Sequence, residues 1–357
     1  MSAEPRPYTL VAELTYRCPL RCVYCSNPLG WSRHRDALDT ATWLAAFRAA
    51  EALGVVQLHL TGGEPLLRAD LERLVAGARE LDLYVHLVTS GVPLSRARLA
   101  ALRAAGLDAL QLSLQDVDAD AAARIAGARV AAGKLAVARW ARELGLPLTL
   151  NVAVHRENIG RIDAIVALAA SLGADRLELA NVQYLGWALA NRAALLPSAE
   201  QVAAARAVAA RARRALLGRM EVVFVFPDYH ADLPKPCMDG WGRRFIVVTP
   251  DGLALPCHAA HTLPGLRFEN VRDRPLADIW YASPGFEAFR GESWMVEPCR
   301  SCPRRALDFG GCRCQAFHLT GDAAATDPAC SLAPRHDVVV GARAEPATPL
   351  RYRAPGG

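Results

Sequence analysis

Residues 13–25 read Glu13-Leu-Thr-Tyr-Arg-Cys-Pro-Leu-Arg-Cys-Val-Tyr-Cys25 and stand at the end of a β-rich run, Thr9–Thr15. Cys18, Cys22 and Cys25 have Cys-x3-Cys-x2-Cys spacing, which draws three thiolates from one short loop. That is one fewer than a four-iron cluster takes, so the fourth iron is left open to a small molecule. A structural zinc site takes four ligands in tetrahedral geometry, usually from two paired knuckles. Three cysteines without a nearby fourth therefore favour a reactive cluster over a structural metal.

Outward from this loop, short β-rich runs alternate with amphipathic stretches. Candidate strands are Thr9–Thr15, Val55–Thr61, Tyr84–Thr89, Ala109–Leu114, Leu148–Val154 and Arg176–Ala180, with Glu221–Phe226 as a last one. Helical patterns between them include Thr40–Leu53, Ala69–Leu81, Leu94–Ala105, Arg161–Leu172 and Ser198–Leu217. Such alternation reads as βαβ units around a parallel sheet. Six units make a partial (β/α)6 barrel, an α/β fold whose active site lies at the C-terminal ends of the strands. The cysteine loop and Gly62-Gly63 both fall at such ends.

Beyond residue 230 the texture changes. Residues 231–335 hold seven of the ten cysteines among many Pro and Gly. This reads as a small cysteine-rich domain stapled by metal. Pro346, Pro349 and Pro355 give residues 336–357 the look of a loose tail. The expected division is thus 1–230, 231–335 and 336–357.

Composition sets the outer bounds. The chain has 357 residues, 52% hydrophobic and 22% charged, enough to bury a sizeable core. Net charge is +5, from 41 basic and 36 acidic groups. The densest basic stretch, Arg206 to Arg219, reads as a solvated helix face, so nucleic acid is not an expected partner. The start, Met1 to Pro7, has no apolar segment, and no window holds the ~20 apolar residues that span a bilayer. A soluble, cytoplasmic protein is expected. Ten cysteines in a reducing compartment argue for metal ligation over disulfides.

The next chemical feature is Leu60-Thr61-Gly62-Gly63-Glu64-Pro65, after the second strand. Adjacent glycines let a ligand's polar end approach the backbone, and the carboxylate can meet an ammonium. Read alone, this is also an ordinary strand-to-helix turn with Pro opening the helix. One βα unit after the cysteine loop, the combination resembles the radical S-adenosylmethionine (radical SAM) enzymes. That resemblance implies a [4Fe-4S] cluster on Cys18, Cys22 and Cys25, with SAM bound through the open iron. Gly62, Gly63 and Glu64 would receive the methionine ammonium, and Tyr24 would lie near the adenine. Reductive cleavage of SAM would yield a 5′-deoxyadenosyl radical. Further SAM-binding candidates are Ser90, Ser113, Arg124 and Asn151. Arg124 follows Ser113 by eleven residues, as a carboxylate-binding arginine does in related maturases.

The remaining cysteines are Cys237, Cys257, Cys299, Cys302, Cys312, Cys314 and Cys330. Two four-ligand clusters need eight ligands. The pattern resembles the SPASM extension, Cys-x2-Cys-x5-Cys-x3-Cys, with Asp308 standing at its third position. That aspartate, the run Gly310-Gly-Cys-Arg-Cys-Gln315, Gly240-Trp-Gly-Arg243 and Pro256-Cys-His-Ala-Ala260 resemble the PqqA peptide cyclase family of pyrroloquinoline quinone biosynthesis. By that resemblance Cys237, Cys257, Cys312 and Cys314 would hold one auxiliary iron–sulfur cluster. Cys299, Cys302, Asp308 and Cys330 would hold the other. His258 and His261 receive no metal role. The rival for these cysteines is a set of zinc knuckles, such as Cys299-x2-Cys302 with Cys312 and Cys314.

The same resemblance implies a carbon–carbon crosslink between a glutamate γ-carbon and a tyrosine ring in the precursor peptide PqqA. It also implies delivery by the peptide chaperone PqqD and an electron donor such as a flavodoxin. Gln183, Tyr184, Trp187, Asn191 and Arg192, after the sixth strand, are candidates for positioning the peptide. The alternatives are another SPASM peptide-modifying enzyme, such as a sulfatase maturase, and a non-catalytic zinc-stabilised binding module.

Overall fold

The computed structural model describes residues 5–30 and 35–354. The opening Met1–Glu4 and closing Pro355, on which two of the expectations above partly rest, lie outside the described residues. Seven strands follow the expected alternation: β1 (Thr9–Thr15), β2 (Gln57–Gly62), β3 (Tyr84–Thr89), β4 (Ala109–Leu114), β5 (Leu148–Val154), β6 (Arg176–Asn181) and β7 (Glu221–Phe224). Two more, β8 (Phe245–Val248) and β9 (Ala254–Leu255), complete one sheet in the order β7-β6-β5-β4-β3-β2-β1-β8-β9. All pairings are parallel except β8 with β9. The sheet curls as a partial barrel with β7 and β9 at its two ends.

The crossovers are α1 (Thr40–Ala52), α2 (Leu71–Arg79), α3 (Arg96–Ala105), α4 (Ala119–Ala126), α5 (Ala131–Glu143) and α6 (Ile162–Ser171). They are followed by α7 (Gly186–Ala190), α8 (Arg192–Leu195) and α9 (Ala199–Ala215). Their starts are chemically marked. Asp39, Ser95 and Asp118 each accept a hydrogen bond from a backbone N–H of the first turn, and Ser198 with Gln201 forms a full capping box.

Alternation along the strands sorts their side chains into two sets. Leu58 and Leu60, Val85 and Leu87, Leu110 and Leu112, Leu150 and Val152, and Leu177 and Leu179 are buried in one core with the crossover helices. The intervening Gln111, Asn151 and Glu178 face a cavity inside the barrel. Polar inward positions leave this lumen unfilled by side-chain layers, unlike a closed eight-stranded barrel.

Two expectations need correction. Residue 230 does not separate two cores, because Ile246, Val248, Leu276, Ile279, Trp280 and Phe286 join the barrel core and β8 extends its sheet. Nor are residues 336–354 loose. The helix Asp337–Ala344 buries Val339 and Ala342 against Val23, Tyr184, Leu195 and Tyr229, and Glu345 pairs with Arg192. Prolines make a segment irregular, but contacts decide whether it is held. Among the described residues, no helix is long and apolar enough to cross a membrane.

Candidate active site at the barrel mouth

The cysteine loop leaves β1 and is fixed by its backbone before any side chain acts. Arg21 N–H donates to Ala126 O (2.8 Å) and Val23 N–H to Ile125 O (3.1 Å), tying it to the end of α4. Cys25 O accepts from Ala188 N–H of α7 at 3.1 Å. None of the ten cysteines is in a disulfide. Burial pushes the Cys18 and Cys25 thiols up to about 12, and Cys22 up as well. Thiols of this kind are quiet as nucleophiles and become thiolates on binding metal.

All three line a cavity of about 260 Å³ with Gly62, Gly63 and Ser90. Tyr24, Ser113, Gln115 and Trp187 form other parts of its wall. Tyr24 is pinned: its hydroxyl accepts from Gln115 Nε2 (2.9 Å) and its ring stacks on His155 at 6.1 Å. Lys134 stands behind this pair, 1% exposed, donating to Gln115 Oε1 and Ser113 O at 2.9 Å each. Three thiols around a space of this size, beside a rigid aromatic ring, fit the cluster-and-SAM reading.

Gly62 and Gly63, besides lining the cavity, have a structural task. Gly62 has φ +126°, and a Cβ there would stand 2.3 Å from Thr15 O. A Cβ on Gly63 would stand 2.5 Å from Arg17 O. The glycines let β2 end directly beneath the cysteine loop, where Gly63 N–H bonds Thr15 O and Glu64 N–H bonds Arg17 O. Glu64 is fully buried and is not part of the cavity wall. Its carboxylate accepts from Thr89 Oγ1 (2.6 Å), Leu66 N–H (3.1 Å), Ser90 N–H (2.8 Å) and the Ser90 hydroxyl. Burial raises its carboxyl above the usual range. It therefore orients Ser90, which does line the cavity.

Arg124 and Asn151 are not brought to this cavity. Arg124 sits on the last turn of α4 and points outward to Glu157 (3.2 Å), with its side chain 56% exposed. Exposed pairs of this type contribute ~0–1 kcal/mol. Arg124→Ala should thus change SAM affinity by less than about twofold, read by equilibrium binding. Asn151 faces the barrel lumen instead.

That lumen is a second cavity, about 850 Å³, which shares Tyr24, Ser26 and Val88 with the first. At its far side stand Cys237, Cys257 and Cys312. Of the residues after β6, Gln183 and Tyr184 line it, with Gln183 Oε1 3.2 Å from His258 Nε2. Trp187 lines the first cavity. Asn191 and Arg192 are occupied structurally: Asn191 Nδ2 donates to Val23 O (3.0 Å), and Arg192 lies 5.9 Å over the Tyr229 ring. On the same wall, Lys235 Nζ sits 2.7 Å from Asp228 Oδ1, whose partner oxygen accepts from Asn181. Burial raises the Asp228 carboxyl.

The seven later cysteines fall into two groups. Cys312 touches Cys237 and Cys314, and Cys314 touches Cys257; those two donors hold the Cys312 thiol well below its usual value. Cys330 has Cys299, Asp308 and Cys302 as its electrostatic neighbours. Cys299/Cys302 and Cys312/Cys314 thus belong to different groups, unlike the zinc-knuckle arrangement. Asp308 is 7% exposed, with Oδ1 accepting Gly310 N–H at 3.1 Å.

Two residues in this region escaped the sequence reading. Asp327 accepts from Cys312 N–H (2.7 Å), Gln315 Nε2 (2.8 Å) and Ala329 N–H (3.0 Å), and burial pushes it up to about 6. Arg313 is 1% exposed and donates to Gly310, Ala323 and Ala325 carbonyls, packed 4.5 Å from the Trp294 ring. Their signal was their position inside cysteine runs, where a buried charge has work to do beside thiolates.

The comparisons agree with this geometry. The family model of the Radical SAM superfamily matches residues 12–169, and that of the SPASM iron–sulfur cluster-binding domain matches residues 237–303. A PqqA peptide cyclase of Gluconobacter oxydans is 54% identical over 358 residues, covering 99% of both chains. One from Streptomyces rochei is 55% identical, covering 95% of this chain and 93% of its own. In fold, the chain is similar to Streptococcus suis SuiB bound to S-adenosylmethionine (TM-score 0.77, 20% identity, 92% of this chain and 78% of that one). It is also similar to anSMEcpe with bound AdoMet (TM-score 0.67, 14% identity, 94% and 96% covered).

Proposed function

Because the chain belongs to the PqqA peptide cyclase family of radical SAM enzymes with a SPASM domain, we propose that it crosslinks a glutamate γ-carbon to a tyrosine ring within the precursor peptide PqqA. It is a radical SAM peptide cyclase, an oxidoreductase of pyrroloquinoline quinone biosynthesis. The observation that carries the finer reading is the lumen cavity, which runs from Tyr24 beside the cysteine loop to Cys237, Cys257 and Cys312. A peptide lying there would have one site for hydrogen removal and another for electron removal within the same chamber.

Cys18, Cys22 and Cys25 would hold the SAM-binding [4Fe-4S] cluster; Cys237, Cys257, Cys312 and Cys314 one auxiliary cluster; and Cys299, Cys302, Asp308 and Cys330 the other. Bound there, these groups supply a hydrogen-abstracting radical at one end and an electron acceptor at the other. The protein's own work is to hold the peptide between them. The crosslink removes two hydrogens from the peptide: one as an atom from glutamate, one as a proton and an electron from the tyrosine ring. Lys235, the lysine on the lumen wall, is suited to the glutamate carboxylate, while Gln111, Asn151 and Gln183 offer hydrogen bonds to peptide groups. Tyr24 and Trp187 keep the cofactor cavity narrow, which shields the radical from water. PqqD would deliver the peptide, and a flavodoxin-like donor would supply electrons.

The test uses anaerobically reconstituted protein with SAM, reductant, PqqA and PqqD. Mass spectrometry should find 5′-deoxyadenosine together with PqqA lighter by two hydrogens. Deoxyadenosine with unchanged PqqA would move the substrate elsewhere among peptide-modifying SPASM enzymes. Zinc-loaded protein making neither product would sink the reading.

A further inference from the structure

Beyond the helix Asp337–Ala344 the chain turns back over the barrel mouth, and residues 350–353 lie against the cysteine loop. Leu350 packs on the small core that includes Val23, with Tyr24 against it. Asn191 then links the two segments: it accepts from Arg351 N–H (2.7 Å) and donates to Arg351 O (2.9 Å) and Val23 O (3.0 Å). The Tyr352 hydroxyl donates to Arg124 O (2.9 Å), and the Arg21 guanidinium lies 6.0 Å from the Tyr352 ring. Finally Arg353, 8% exposed, donates from Nη2 to Cys18 O (3.1 Å) and to Leu20 O, 335 and 333 residues away in sequence. Its side chain forms part of the first cavity's wall. Its electrostatic neighbours are Cys18, Cys25 and Cys22.

Two facts stand together here. Arg353 holds the carbonyls of Cys18 and Leu20, at the start of and within the Cys18–Cys22 interval, so it fixes the turn that leads from one ligand to the next. It also brings a permanently charged guanidinium into a dry wall beside three thiols, where a charge acts more strongly than in water. The contacts of this buried charge fall on the cysteine loop and not on the barrel's outer face.

We propose that residues 345–353 form a strap that completes the cofactor site, with Arg353 as a positioning residue for the cysteine loop. Resting on the reading that Cys18, Cys22 and Cys25 hold the SAM-binding cluster, the strap has two consequences. A cation in the same cavity wall as the three cysteines favours the more negative, reduced state of the cluster and so raises its reduction potential. Holding the Cys18 turn keeps the SAM-binding face of the cavity open at a fixed width.

The experiment compares wild type, Arg353→Gln and Arg353→Lys as full chains, reconstituted anaerobically. An EPR-monitored redox titration follows the loop cluster, and equilibrium binding follows SAM. Iron at the auxiliary cysteines and the thermal midpoint report whether each variant is folded. R353Q is expected to shift the loop cluster to more negative potential and to weaken SAM binding by about tenfold. R353K, which keeps the charge, should recover most of the potential, and both variants should keep their auxiliary iron. R353Q with wild-type potential and SAM affinity would overturn the strap's role and leave the underlying reading intact. Wild-type protein whose loop takes up no SAM-responsive cluster would overturn both, and this is seen before any variant is made.

Discussion

Replacing Cys22 by alanine is expected to abolish 5′-deoxyadenosine formation and peptide crosslinking together, by at least about 10³-fold. The three cysteines belong to one loop, and among the described residues no other thiol, imidazole or carboxylate lines the cavity to stand in for the missing one. Two thiols cannot hold a cluster that three were spaced for. The fold should survive. The hydrogen bonds that anchor this loop run through the backbone of Arg21, Val23 and Cys25, and the substitution leaves them in place. Iron analysis should therefore show loss of the loop cluster's iron while that at the two later cysteine groups remains. Crosslinked peptide from the C22A protein would show that the chemistry does not begin at this loop.

Gly63→Ala should have the largest effect on stability and on SAM binding together. The new Cβ would stand 2.5 Å from Arg17 O, 2.6 Å from Tyr16 O and 2.8 Å from the Tyr16 carbonyl carbon, all backbone atoms. No rotamer relieves such contacts, so the β1 terminus and the root of the cysteine loop must move. The movement breaks the Gly63 N–H to Thr15 O bond (2.6 Å) and the Glu64 N–H to Arg17 O bond (2.9 Å). Overpacking and two lost hydrogen bonds together amount to about 3–5 kcal/mol. Thermal unfolding should register this as a clear fall in midpoint, with SAM affinity falling beside it. Gly160→Ala is the matching control, because a Cβ there meets nothing within 4 Å. A G63A protein as stable as wild type, with normal SAM affinity, would mean that the close approach of β2 to the loop is unimportant.

Much of this site was open to reading in one dimension, though unevenly. The inward-facing positions Gln111, Asn151 and Glu178 follow from the side-chain alternation along strands β4 to β6. Asn151, a candidate SAM contact by sequence, lies in register between Ser113 and Glu178 and shares the lumen wall with Glu178. The resemblance to radical SAM enzymes makes Glu64 a candidate ligand for the methionine ammonium. The structure spends its carboxylate on Thr89, Leu66 and Ser90 instead. Arg124 matched by spacing, yet spacing along a helix does not say which way the last turn faces.

By itself, the sequence determined the kind of chemistry and the architecture that carries it. Ligand spacing within Cys18–Cys25 is bounded by covalent geometry, and the strand-and-helix alternation follows from local hydrophobic period. Only the tertiary structure decided which polar groups reach the cofactor cavity. Arg353 arrives there from more than three hundred residues away, Glu64 is drawn beneath it and Arg124 is turned out of it. The reason is physical: the direction of a side chain at a strand end or helix end is set by the register and packing of neighbouring elements, and those contacts are made between residues far apart in the chain.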